Sequence, residues 1–342
     1  MRGYSSLIMN FKPWMGILTG AVVVRSLINR FRRIDLNGKV AVVTGGTRGL
    51  GIVLARQLIE RGASVSICSR DQAEVDRARE ELLTQGGTLF AAACDVTDEG
   101  HLKAFLEQTE RELGPIDLLI NNAGQIQVGP QELMNTEDYE KAMKVHFWAP
   151  LHATLTVLPS MRGRGSGRIV NITSIGAKVP VPHLLPYSAS KYAAYGFSAG
   201  LRSELAREGI FVTTVCPGLM RTGSPRNAQV KGQHQAEYTW FKIGDSLPGL
   251  SMNAERAARQ ILDAAARGDP EVTLSLPAKA LTMIYGVAPS LMQRVFGLVN
   301  RALPSAEGGS AEQVKGKDVE LSGWPIKLTR LTDAASLRNN EI

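Results

Sequence analysis

Tyr187 and Lys191 stand four residues apart in Tyr187-Ser188-Ala189-Ser190-Lys191, a spacing that sets both side chains on one face of a helix. A phenol beside an ammonium can protonate an oxygen that is gaining negative charge. Tyrosine, with a pKa near 10, is a poor acid at neutral pH. A cation about 4 Å away at an effective dielectric of about 20 interacts by roughly 4 kcal/mol, which lowers that pKa by up to about three units before solvation costs. Ser174, thirteen residues before Tyr187, suits a hydrogen bond to the same oxygen that strengthens as charge develops there. These residues fit proton delivery in the reduction of a ketone. The hydride must come from a bound carrier.

The candidate holder of that carrier is Val40-Ala41-Val42-Val43-Thr44-Gly45-Gly46-Thr47-Arg48-Gly49-Leu50-Gly51, an apolar run that ends in a glycine-rich turn and passes at once into helical periodicity. Gly45 lets the chain turn off the strand, Gly49 lets backbone N–H groups approach a diphosphate, and Gly51 lets the helix pack close to the sheet. The diphosphate would sit on the helix N-terminus. The spacing is G-x-x-x-G-x-G, which differs from the general dinucleotide fingerprint. At the end of the next strand, Ser69 and Arg70 stand where an acidic residue would hold the ribose hydroxyls of NAD. Arg70 with Arg48 could flank a 2′-phosphate, which favours NADP over NAD; Asp71 argues the other way if it reaches the ribose. Cys94-Asp95-Val96 and Asn121-Asn122-Ala123-Gly124 end the following two strands, at the edge where ligands bind in open α/β sheets.

Short apolar runs alternate with longer amphipathic ones from Lys39 onward. Strands are expected near 40–44, 63–68, 89–93, 117–121, 167–173, 210–216 and 271–275. Helices are expected over 50–61, 72–85, 99–112, 137–162, 186–208 and 253–267. Repeated βα units with right-handed crossovers predict a doubly wound parallel sheet in a single α/β catalytic domain.

As an ordered set, TGGTRGLG at 44–51, NNAG at 121–124, Ser174, YSASK at 187–191 and Pro217-Gly218 followed by Thr222 resemble the short-chain dehydrogenases/reductases, over about residues 38–276. The resemblance implies a Rossmann-type fold, a nicotinamide cofactor and hydride exchange between a carbonyl and an alcohol. It implies cofactor contacts from Thr44, Gly45, Thr47, Arg48, Gly49, Leu50, Gly51, Ser69, Arg70, Gly124, Pro217 and Gly218. Asp95 and Val96 would meet the adenine, Asn121 and Ala123 the ribose region, Thr222 the nicotinamide amide, and Lys191 the nicotinamide ribose as well as Tyr187. Catalysis would fall to Ser174, Tyr187, Lys191 and the residue at 146. There the family usually has asparagine and this chain has His146, which keeps the main-chain carbonyl of a proton relay but not the same side-chain bonds. The alternative to a reductase is therefore a cofactor-binding, membrane-associated scaffold or sensor with little turnover.

The segment Gly223–Ser251 is too long for a simple connection and is expected to be a lid. Its Tyr238, Trp240 and Phe241 suit a bulky apolar substrate such as a lipid, sterol or long-chain ketone, or else pin the lid to the body. His183 is expected to be a solvated loop residue. Of the net charge of +7, residues 1–37 carry +5, from Arg2, Lys12, Arg25, Arg30, Arg32 and Arg33 against Asp35. This leaves the body nearly neutral and argues against nucleic acid. Trp14–Val24, eleven uncharged residues, is short for a spanning helix, so an interfacial helix on an anionic membrane surface is expected of an otherwise cytoplasmic protein, ahead of a short tilted anchor or a helix packed on its own domain. Residues 277–304 read as two amphipathic helices divided by Pro289, covering the body or a partner subunit in preference to a membrane. Residues 305–342 read as a mobile tail. Cys68, Cys94 and Cys216 lack metal spacing and read as buried free thiols, and no metal site is expected. The resemblance also implies a homo-oligomer.

Overall fold

The computed structural model describes residues 32–247, 249–319 and 329–341. Its centre is β1 (Val40–Thr44), five buried residues paired in parallel on both sides by β2 (Ser64–Ser69) and β4 (Leu118–Asn121). With β3 (Leu89–Ala93), β6 (Gly167–Ile172), β7 (Ile210–Cys216) and β11 (Glu271–Thr273) they form a seven-stranded parallel sheet in the order β11-β7-β6-β4-β1-β2-β3. Strands β1 and β4, covered by helices on both faces, are nearly continuous apolar runs. Helices α1 (Gly49–Glu60) and α8 (Ala254–Arg267) pack one face around Leu54, Leu58, Ile261 and Leu262; α3 (Glu99–Leu113) and α5 (Ala149–Arg164) pack the other around Leu102, Leu106 and Met161.

Local chemistry sets the helix starts. Asp71 caps α2 (Gln72–Leu83), Asp98 caps α3, and Asn135 with Asp138 forms a capping box on α4 (Thr136–Met143). The helix expected over 137–162 is continuous, with a π-helical turn at Lys144–Trp148 joining α4 to α5 (Ala149–Arg164). Pro150, the fourth residue after His146, has no N–H to offer its carbonyl. The long α6 (Leu185–Glu204) opens with Pro186 in its first turn.

A smaller sheet lies beside the carboxyl edge of the large one, with β9 (Gln229–Gly232) between β5 (Gln127–Val128) and β12 (Ser310–Lys315). A two-residue ladder joins β8 (Met220–Arg221) to β10 (Met252–Asn253). The mobile tail expected over 305–342 is therefore corrected: β12 pairs with β9, and α11 (Arg330–Arg338) docks on α7 (His234–Ser246). Composition misled because the docking contacts of α11 include hydrogen bonds from polar side chains. Residues 320–328 of that expectation lie outside the described residues, as does the Trp14–Val24 run of the N-terminal extension.

Pro289 divides α9 (Leu276–Val287) from α10 (Pro289–Ala302), as expected. Their apolar face does not cover the body: Leu276 is 80% exposed, Val287 88% and Leu298 62%. No helix among the described residues is long and apolar enough to cross a membrane. All three cysteines are buried and free.

Candidate active site

Ser174 follows β6, and its hydroxyl accepts the Gly176 N–H at 3.0 Å, fixing its direction at the sheet edge. Tyr187 and Lys191 project from the first turns of α6, with the phenol ring and the Ser174 hydroxyl side by side over Gly176. Lys191 is buried; its Nζ donates to the Ile172 carbonyl at 2.9 Å and lies 5.8 Å from the Tyr187 ring centroid. A side chain on Gly176 would crowd this pairing, since its Cβ would stand 3.3 Å from the Tyr187 ring and 3.4 Å from Ser174 Oγ.

The electrostatics differ from the expected activation. Burial raises the Tyr187 pKa, and the Ser174 hydroxyl offsets this only in part. Burial also lowers Lys191 to about 7. The Lys191 ammonium is turned toward the Ile172 carbonyl, and at Tyr187 burial prevails.

His146 sits in the π-helical turn, 2% exposed, with its ring edge-on to Tyr187 at 5.4 Å. Nε2 accepts the Gln125 N–H at 3.1 Å, and Nδ1 lies 2.7 Å from Ser190 Oγ. Because the Ser190 hydroxyl donates to the Tyr187 carbonyl, Nδ1 carries the proton. Burial, then the Lys191 charge, holds the imidazole well below its ordinary pKa and hence neutral.

The glycine loop has the form a diphosphate needs. Gly45 and Gly49 have φ of 62° and 56°, and a Cβ on Gly51 would run into the Gly45 carbonyl. Thr44 Oγ1 accepts N–H bonds from Asn122 at 3.0 Å and Ala123 at 3.1 Å, while the Asn122 amide holds the Thr44 and Gly45 carbonyls. Leu50 and Val96 are buried beside the loop. Asp71 Oδ1 caps α2, accepting the Ala73 and Glu74 N–H groups, which holds that carboxylate at the helix N-terminus. Ser69 at 2.9 Å, Thr47 at 3.3 Å and Arg48 at 3.6 Å converge instead on Glu74, a residue the sequence did not single out. Arg70 is exposed next to them.

The remaining residues scatter in role. Asp95 accepts from Thr97, and the Asn121 amide donates to Asn171 inside the sheet at 2.8 Å, so that side chain is committed to the core. Gly124 leaves room for His146 Nε2, which a Cβ there would approach to 3.3 Å. The Pro217 carbonyl accepts the Ile175 N–H at 2.7 Å, Gly218 lies against Ser275 and Ala278, and buried Thr222 accepts the Ser224 N–H at 3.2 Å.

A family model described as short chain dehydrogenase matches residues 39–232. The chain belongs to the short-chain dehydrogenase family. It is accordingly an oxidoreductase of the carbonyl/alcohol pair that uses a nicotinamide cofactor. A putative ketoacyl reductase of Streptomyces coelicolor is 37% identical over 197 residues, covering 57% of this chain and 75% of that protein. Among solved structures, an actinorhodin polyketide ketoreductase variant with NADPH is 32% identical at a TM-score of 0.62, covering 70% of this chain and 95% of that one. An NADPH-bound short chain oxidoreductase from Pseudomonas aeruginosa, described as containing an atypical catalytic center, is 29% identical at a TM-score of 0.61, covering 69% and 95%.

In this short-chain dehydrogenase the segment expected to be a lid is built into the body by its own aromatics. Tyr238 and Phe241 are buried, while half-buried Trp240 donates its indole N–H to Glu237 at 2.7 Å. The expectation for His183 is also corrected. It is buried at φ 62°, with Nδ1 2.8 Å from fully buried Glu237, so it ties the loop before Tyr187 to α7. The pair is invisible in sequence because its members lie 54 residues apart. Asn122 was legible as part of NNAG, and Gly176 as the glycine two residues past Ser174.

Proposed function

We propose that this chain is an NADPH-dependent reductase of bulky, apolar carbonyl compounds of the ketoacyl or long-chain ketone kind, acting as a self-associating enzyme on a membrane surface. The observation that carries the chemistry is the meeting of Ser174 and Tyr187 over Gly176, with buried Lys191 beside the phenol ring, at the same sheet edge as the glycine loop. The nicotinamide would supply hydride to the carbonyl carbon. Ser174 and Tyr187 would hold the carbonyl oxygen, and the Tyr187 hydroxyl would give up its proton to it. Arg48 and exposed Arg70 favour the 2′-phosphate of NADPH, and the two NADPH-bound relatives support the same choice.

Half-buried Ile126, Leu184 and Trp240 form an apolar wall next to the catalytic loop, in keeping with a bulky acyl chain. Exposed Trp148 and Leu155 around α5 and Tyr192 on α6 favour self-association. The membrane part rests on α9 and α10, whose exposed apolar face carries Lys279, Arg294 and Arg301 with no acidic residue between Glu271 and Glu307.

The test is NADPH consumption by the purified full chain with 3-ketoacyl thioesters, long-chain ketones and sterol ketones. Turnover is expected on one class, and Tyr187→Phe is expected to lower it by about 10²- to 10⁴-fold while NADPH binding persists. NADPH binding without consumption on any member would favour the sensor instead, and a Tyr187→Phe variant as fast as the parent would unseat the assigned acid.

A further inference from the structure

Residues 329–341 fold back onto the place that a dinucleotide diphosphate needs. Helix α11 is anchored on α7 by Lys242 Nζ to Asp333 at 2.8 Å and by Ser246 Oγ to Thr332 Oγ1 at 2.6 Å. It also fills the space beside Gly223, where a Cβ would stand 2.5 Å from Ser336 Cα. After α11 the chain turns through Asn340 at φ 55°, closed by the Glu341 N–H to the Ser336 carbonyl at 2.9 Å. Three consecutive residues then meet the glycine loop.

The Gly49 N–H, at the N-terminus of α1, donates to the Asn339 carbonyl at 2.8 Å. The Asn340 amide reaches Glu81 at 3.1 Å and the Thr47 carbonyl at 3.5 Å. The Glu341 carboxylate lies over Gly49, with Oε1 2.5 Å from where a Cβ would be. Its other oxygen is 3.4 Å from Arg48 Nη1 and accepts the Asn227 amide at 2.5 Å. Glu341 is 4% exposed.

A carboxylate at a helix N-terminus, beside a guanidinium and over a glycine, presents the charge and the acceptor atoms of a phosphate. Burial raises the Glu341 pKa, and the Arg48 charge and the Asn227 amide offset that cost only in part. A dinucleotide whose diphosphate lay on this helix N-terminus and whose 2′-phosphate met Arg48 would need the same N–H, the same volume over Gly49 and the same arginine. Both cannot have them at once.

We propose that segment 329–341 is an intramolecular ligand of the diphosphate subsite, with the Glu341 carboxylate in the place of a phosphate, and that it must be displaced for NADPH to bind. The competition rests on the cofactor assignment above but not on turnover. Apparent affinity falls in proportion to the fraction of chains in which the loop is free, so a segment docked in about nine chains of ten weakens NADPH binding about tenfold.

The experiment is NADPH titration of the unaltered full chain, of Glu341→Ala at the loop, and of Asp333→Lys at the α7 anchor, which touches no part of the loop. Both variants are expected to bind NADPH about tenfold more tightly. Equal or weaker binding by well-folded variants would overturn the proposal. Hydrogen exchange on the unaltered chain needs no variant. Amides of 330–341 are expected to exchange faster at saturating NADPH, and slower exchange would make the segment a cover over bound cofactor and end the idea. If neither the parent nor the variants bind NADPH, the cofactor assignment and the competition fall together. A substrate panel without turnover bears on the reductase reading alone.

Discussion

His146 Nδ1 lies 2.7 Å from Ser190 Oγ, and that hydroxyl donates to the carbonyl of Tyr187 at 2.8 Å. One imidazole thus links the Gln125 N–H, on the loop after NNAG, to the first turn of the catalytic helix. It acts as a strut between the two halves of the site.

Asparagine, the usual family residue at this position, is shorter and cannot hold both ends. His146→Asn is therefore expected to lose about 1–3 kcal/mol of stability through an unpaired buried group, and not to raise the reduction rate. Thermal melts and steady-state rates of the two proteins check this. A faster variant of unchanged stability would show that the histidine is a lesion.

Arg48 already has Glu74 and Glu341 within ion-pair distance, whereas Arg70 stands exposed. Arg70→Ala is expected to remove one charge-assisted contact of about 1.5–3 kcal/mol, which is about ten- to hundredfold in NADPH affinity, with little effect on NADH. Parallel titrations with the two cofactors check it, and equal losses would remove Arg70 from the 2′-phosphate.

Asp245 on α7 is buried, with one carboxyl oxygen accepting the Met220 N–H at 3.2 Å and the other without a partner among the described residues. Burial pushes its pKa up to about 8. The native state thus holds a proton that the unfolded chain has released above about 4. The associated stability is full below about pH 4 and is lost as pH rises through about 8. Asp245→Asn is expected to flatten that part of the stability–pH curve and to melt higher than the parent at pH 9. Denaturant unfolding between pH 4 and 9 measures it, and superimposable curves would contradict the assignment.

Leu276, Met283 and Val287 share one face of α9 and are all exposed. Met283→Glu with Val287→Glu is expected to lower co-sedimentation of the full chain with anionic phosphatidylserine vesicles at least several-fold, and added salt to lower that of the parent. No change in either comparison would turn this face toward a partner subunit.

The seven parallel strands were legible because burial on both faces writes itself as short apolar runs, and all seven begin within one residue of the expected position. The Ser174, Tyr187 and Lys191 cluster was legible because two of its members share a helix face and the third ends the preceding strand. Hidden were the partners fixed by contact across the chain. Glu74 meets Thr47 and Arg48 only because the start of α2 lies beside the glycine loop, and His183 finds Glu237 only once α7 has packed. Asn339 and Glu341 reach the glycine loop from nearly three hundred residues away, carried by hydrogen bonds that leave no periodic trace. The π-helical turn between α4 and α5 is marked in the sequence only by Pro150.

The small sheet fixes an order of assembly. Strands β1, β2 and β3 are near neighbours in the chain, so the nucleotide half can close its loops cheaply and early. By contrast, β5 waits for β9, and the outer edge of β9 waits for β12. During synthesis β9 emerges before β12, so its outer edge is a row of unpaired backbone groups until Lys315 follows, and in that interval it is open to a strand of a neighbouring chain.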